Sequence, residues 1–177
     1  MDPTSEHPSE PRKRFRLRAR KPLEALNSEN PRFHVFLVDT GWNTHLSRVL
    51  QAHLPLIHEF HPQDPLYVLT REQSIKILKS APEHIGLDPI LVVYDLHCPE
   101  DADSRKGERY RGFRLNLGLL KNPDQALHKL QQFLRFISCH RTSQRLDQEV
   151  QRELHKEGLS NMVRILKEAS EASIELI

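Results

Sequence analysis

Two cysteines stand in mirrored dipeptides, His97-Cys98 and Cys139-His140, and thiols beside imidazoles are the residue types from which zinc sites and activated nucleophiles are made. If the two dipeptides meet in space, His97, Cys98, Cys139 and His140 could form a Cys2His2 metal site, or Cys98 and Cys139 a disulfide. Paired zinc ligands normally have two or more residues between them, so two ordinary thiols are the plainer reading. A second cluster, His53, His58, Glu59 and His61, lies within nine residues. It lacks an i, i+4 histidine pair on one helix, and if residues 56–60 form a strand, His58 and Glu59 point to opposite faces. Surface or half-buried histidines explain it more simply. Asp39-Thr40-Gly41 after Phe36-Leu37-Val38 has the look of an aspartic-protease signature. Trp42 follows where such enzymes carry a small residue, and the chain then turns helical, so a turn in which Asp39 caps the next helix is expected. The chain contains no phosphate-binding glycine loop, no GxSxG elbow and no paired-carboxylate pattern. No catalytic constellation and no cofactor are therefore expected.

The most specific feature is basic. In PRKRFRLRARK, residues 11–21, every second residue from Arg12 to Arg20 is arginine, with Lys13 and Lys21 adding charge and Phe15, Leu17 and Ala19 interleaved. As a strand, this segment would be basic on one face. Arg12, Lys13, Arg14, Arg16, Arg18, Arg20 and Lys21 could contact an anionic partner, nucleic-acid phosphates included, with salt-dependent affinity and no base specificity. Nuclear localisation and simple solubilisation fit the same residues. The first 31 residues hold seven Lys/Arg and five Asp/Glu of the chain's 26 and 24, so the remainder is balanced at 19 of each. Prolines 3, 8, 11, 22 and 31 and a dearth of large apolar groups predict that residues 1–31 are a disordered tail.

Positioning these residues falls to a single α/β domain, which 177 residues suffice to build. Residues 33–38 read as a strand buried on both faces. Asn43 or Thr44 can cap a helix carrying Leu46, Val49, Leu50, His53 and Leu54 up to Pro55. Either Leu56–Phe60 or Leu66–Thr70 supplies the second strand. Thr70 with Glu72 and Gln73 makes a capping-box-like start to a helix that stops at Pro82. Pro89 opens the central strand Ile90–Asp95, and Tyr110–Leu117 alternates as its hairpin partner. Ala126, Leu127, Leu130, Phe133, Leu134 and Ile137 stripe a long helix. Two more helices are expected, Gln144–Lys156 and Leu159–Ala172, parted by Gly158. Their apolar stripes would dock on the core or on a second chain, which makes a homodimer one expected assembly. The resulting division is a tail over 1–31, a core over 32–140 and a helical extension over 141–177.

This order, strand, helix, strand, helix, strand, strand, helix, with a proline opening the third strand, resembles the thioredoxin-like fold over roughly residues 32–137. The resemblance is one of topology. Where that family carries Cys-x-x-Cys, this chain has Gly41-Trp42-Asn43-Thr44-His45, and Pro89 matches the place of the family's cis-proline. It implies a redox-inactive relative that uses the surface around Trp42, Asn43 and Pro89 to bind a protein partner. Two cysteines, no long apolar run and no signal-like start place the expected protein in the cytoplasm or nucleus, without a membrane association.

Overall fold

The computed structural model describes residues 14–17, 31–97, 110–156, 158–167 and 173–176. The elements are β1 (Arg14–Leu17), β2 (Phe33–Val38), α1 (Thr44–Ala52), α2 (Leu54–Phe60), β3 (Leu66–Val68), α3 (Arg71–Ser80), β4 (Ile90–Asp95), β5 (Tyr110–Asn116), α4 (Pro123–Cys139), α5 (Leu146–Lys156), β6 (Val163–Lys167) and β7 (Ser173–Leu176). Five strands form one mixed sheet in the order β3-β2-β4-β5-β6, with β2 and β3 parallel and the other neighbours antiparallel. β1 and β7 form a separate two-stranded parallel sheet.

The alternation of each strand sorts side chains onto two cores. Val35 and Leu37 of β2, Leu91 and Val93 of β4, and Phe113 and Leu115 of β5 face α1, α2, α4 and α5. Phe36, Val38, Ile90 and Val92 face α3 through Ile77 and Leu78. The α4 stripe lies in the larger core, where Phe133 meets Phe113 edge-on with ring centroids 5.4 Å apart. Local caps match the sequence. Asn43 Oδ1 accepts from Leu46 N at the start of α1, and Thr70 and Gln73 exchange both bonds of a capping box at the start of α3.

Three segments depart from expectation. Leu56–Phe60 belongs to α2, not to a strand, because Pro55 sits in the first turn of a second helix, where its missing N–H costs nothing, instead of ending the first. The second strand is β3, within the other segment expected for it, Leu66–Thr70. Of the expected helix Leu159–Ala172, Val163–Lys167 is strand β6, and residues 168–172 lie outside the described residues. Leu159 N donates back to Leu154 O, closing α5, and Asn116 N donates to Met162 O, which starts β6 along the outer edge of β5. Val163, Ile165 and Leu166 are β-branched or apolar enough for either state, and an unpaired sheet edge decides between them. Both C-terminal stripes are consumed inside the chain: Leu146, Val150, Leu154, Met162 and Val163 belong to the larger core and Leu166 to the smaller. Of the expected disordered tail, Arg14–Leu17 is a strand with β7 as partner, Pro31 leads directly into the buried start of β2, and residues 1–13 and 18–30 lie outside the described residues. No helix among the described residues is long and apolar enough to cross a membrane.

One end of the central strands is fastened by buried charge. Arg32, 3% exposed, grips Asp95 with Nε and Nη2 at 3.1 and 2.9 Å, and its Nη1 donates to Arg141 O beyond α4. Asp64 Oδ1 accepts Arg32 N and Phe33 N, each at 2.9 Å, and Arg141 donates to both carboxylate oxygens. His61 joins Asp64 through Nδ1 at 3.1 Å and Leu134 O through Nε2 at 2.9 Å. Burial alone would push the Asp64 carboxyl up. The hydrogen bonds from His61, Arg141 and Phe33 N, with the Arg141 charge, overcome this and hold it well below the usual carboxylate range. Asp64 therefore adds stability above the carboxylate pKa of the unfolded chain, near 4, and that stability drains away as the pH falls below it. In urea denaturation, Asp64→Asn is expected to lose about 3 kcal/mol at pH 7. The deficit should shrink between roughly pH 4 and pH 2, and an equal deficit at both ends would show that the charge is not what matters.

Candidate functional site

The opposite end of the sheet is built around the peptide bond preceding β4. Asp88-Pro89 is cis. Asp88 is buried, and its carboxylate oxygen Oδ2 accepts Thr40 N at 2.9 Å and Thr40 Oγ1 at 2.6 Å from the turn after β2. Its carbonyl accepts the indole Nε1–H of Trp42 at 2.8 Å. Asp39 does not cap α1, since Asn43 does. Asp39 Oδ1 instead accepts Gly41 N at 2.8 Å and Ser47 Oγ at 2.9 Å, tightening the turn and tying it to the first turn of the helix. No second carboxylate faces Asp39 in these bonds, so the protease-like tripeptide is a turn. Gly41, with φ +77°, supplies the left-handed conformation that lets the chain double back here.

The turn after β5 closes the other side. Leu117 N donates to Pro89 O and Gly118 N to Leu87 O, both at 3.0 Å. A Cβ on Gly118 would stand 2.4 Å from Asp88 O and 2.6 Å from Leu87 O, so only glycine allows this approach. The sequence singled out Trp42, Asn43 and Pro89, and the structure gathers them: Trp42 bonds to the cis peptide and Asn43 caps the helix that follows. It did not single out Asp88, Thr40 or Gly118, which hold the arrangement. An aspartate directly before a strand-opening proline was the available signal for the first of these.

Several large apolar side chains are exposed at this end. Large apolar side chains exposed among the described residues are Trp42, Leu56, Ile85, Leu96 and Leu119. Three of them, Trp42, Ile85 and Leu119, stand on the loops that converge on Asp88-Pro89, and Trp42 is 56% exposed although its N–H is anchored. Beneath Ile85, His84 turns inward to meet Arg114 of β5. Burial, then the adjoining Arg114 charge, hold His84 below the usual histidine value despite Glu83. Its ring is thus neutral at pH 7, with Nε2 accepting from the guanidinium.

The Cys/His reading concerns the other end, and its geometric premise is met in part. The ends of β4 and α4 do lie together, since Arg32 bonds to both Asp95 and Arg141 O. His97 and Cys139 are exposed, while Cys98 lies outside the described residues. The His140 ring is hydrogen-bonded through Nδ1 to Phe136 O at 2.9 Å, and its Nε2 lies 3.4 Å from Glu149 Oε2. No group of three or more His, Cys, Asp or Glu residues among the described residues is placed to hold a metal ion. The second histidine cluster separates as well, along and at the two ends of α2. His53 Nδ1 faces Val49 O, His61 is buried in the Asp64 network, and Glu59 is exposed on α2.

No family model, no curated protein and no solved structure matches this chain. The site is therefore defined by its geometry.

Thr40→Val should remove both the 2.6 Å hydroxyl bond and part of the satisfaction of a buried carboxylate, at a cost of about 1 to 3 kcal/mol. Trp42 is the only tryptophan, so its fluorescence reports the site directly. Iodide should quench it in the folded wild-type protein, and a spectrum and quenching constant typical of a buried indole would contradict the exposed placement.

Proposed function

We propose that this protein is a non-catalytic binding module with a thioredoxin-like core, whose cis-proline end engages a segment of a partner protein. The observation that carries this reading is Trp42: a large indole held by a hydrogen bond to the cis peptide, with more than half of its surface open to solvent. A tryptophan in that condition loses little conformational freedom on binding and brings a large contact area, which is the profile of an interface anchor. Ile85 and Leu119 beside it extend the apolar surface.

The strand order β3-β2-β4-β5, the parallel β2-β3 pair, the antiparallel β2-β4 and β4-β5 pairs, and the cis proline before β4 support the thioredoxin-like assignment. Gly41-Trp42-Asn43-Thr44-His45 at the start of α1 supports a redox-inactive version, since no thiol stands there. A partner docking at this end would meet the indole, Ile85 and Leu119 and the exposed first turn of α1 together, with Pro89 buried beneath them.

Two measurements test the reading. In a disulfide-reduction assay with dithiothreitol as the electron source, the protein should give no rate above background. A rate abolished by Cys139→Ser or Cys98→Ser would replace the binding module with a thiol enzyme. Affinity purification from the native host with wild type and Trp42→Ala should yield a protein retained by the first, lost by the second and indifferent to nuclease. Retention that is insensitive to Trp42, or that disappears with nuclease, would move the function away from this surface.

A further inference from the structure

The two ends of the chain carry opposite charge. Residues 11–21 contain seven Lys/Arg and no acid, whereas residues 168–177 contain Glu168, Glu171 and Glu175 and no base. The structure pairs strands from these two segments. β1 lies parallel to β7 with Arg14 opposite Ser173, Phe15 opposite Ile174, Arg16 opposite Glu175 and Leu17 opposite Leu176. The pair is a sheet of its own, outside the five-stranded one.

Physical chemistry makes such a pairing easy to exchange. A two-stranded sheet is marginal in water, and a parallel ladder is slightly weaker per residue than an antiparallel one. Four residues a side give it little to spare. The competitor that gains most follows from the charges. A run of phosphates offers a basic strand one negative charge per unit and releases condensed counterions when it binds, a driving force that isolated carboxylates lack. Phe15 between Arg14 and Arg16 adds an aromatic ring of the kind on which an unpaired base stacks.

We propose that β7 is an intramolecular placeholder for a phosphate-backbone polyanion, holding the basic strand β1 by pairing until the polyanion takes it. The device uses residues other than those of the cis-proline end and is independent of the binding function proposed there.

The test compares three full chains or near-full chains: wild type, Ile174→Pro and a protein ending at residue 170. Ile174→Pro disrupts the pairing without changing charge, and the truncation removes β7 outright. Each is titrated against a labelled twenty-nucleotide deoxythymidine strand and against inorganic polyphosphate over a salt series, followed by anisotropy. Both variants should bind about fivefold tighter or more than wild type at low salt, with a salt dependence steeper by about one for each arginine released. Tighter binding of the deoxythymidine strand than of polyphosphate assigns the anion to nucleic acid, and the reverse order to the inorganic chain. Equal affinity of all three proteins, or no binding by any of them, overturns the proposal. The thermal transition of the variants, expected to stay within a few degrees of wild type, shows that the five-stranded sheet is intact in the proteins compared.

Discussion

The fold hangs on the neutralisation of one buried carboxylate. Asp64 sits in a loop between α2 and β3, yet its side chain has no exposed surface and receives hydrogen bonds from Arg32 N, Phe33 N, His61 and Arg141. Those donors come from the entry to β2, the end of α2 and the segment after α4. Arg32 then carries the network to Asp95 at the end of β4, and Asp95 to Tyr110 at the start of β5. Two arginines and two aspartates thus balance one another at the place where the central strands, the helical layer and two loops meet. Buried ion pairs add little net stability over an apolar replacement, but they tolerate few alternative geometries. This one fixes where the strands begin and end relative to the helices, a register that apolar packing alone leaves loose.

With that end fixed, the other can be shaped by turns. β2 and β4 run antiparallel in register from Phe33↔Asp95 to Val38↔Ile90. The segments just after β2 and just before β4 are therefore neighbours by construction, and Thr40, two residues past β2, meets Asp88, two residues before β4, as a consequence of sheet pairing. The same carboxylate and carbonyl of Asp88 then receive a hydroxyl, a backbone N–H and an indole N–H. The polar groups of Asp88, Thr40 and the Trp42 indole are turned toward one another. Three large apolar side chains on the same loops, Trp42, Ile85 and Leu119, face solvent among polar neighbours such as Glu83 and Lys121. An apolar surface of this kind is made by the way the turns satisfy their hydrogen bonds and does not depend on any reactive group.

How much of this was legible in the sequence depended on whether the deciding interaction was local. Asn43 and the Thr70/Gln73 box act within four residues, and the runs Phe33–Val38 and Ile90–Asp95 carry enough β-branched and aromatic residues to be strands wherever they are placed. The stripe of α4 is likewise a property of its own spacing. Val163–Lys167 was misread as helix because Met162, Val163 and Leu166 satisfy a helical stripe as well as a strand, and the edge of β5 that chooses between them lies some fifty residues away. Asp64 was invisible for a related reason. His61-Pro62-Gln63-Asp64-Pro65 has the composition of a solvated turn, and nothing local indicates that Arg32 and Arg141 converge on it.

The candidate site divides along the same line. Trp42 and Pro89 could be picked out because a resemblance in element order places them together, whereas Asp88, Thr40 and Gly118 become visible only through contacts made across the sheet. The mirrored cysteine dipeptides make the opposite case. Their symmetry in sequence is conspicuous, and the ends of β4 and α4 do come together, but His140 Nδ1 is already hydrogen-bonded to Phe136 O, with Glu149 beside Nε2. Sequence adjacency marked residues that could have made a site, and the hydrogen bonds show how one of them is used. For this chain, then, the weight of a candidate residue lies in which of its polar atoms are already spoken for. By that measure the exposed, singly tethered face of Trp42 has more left to offer a partner than the imidazole of His140.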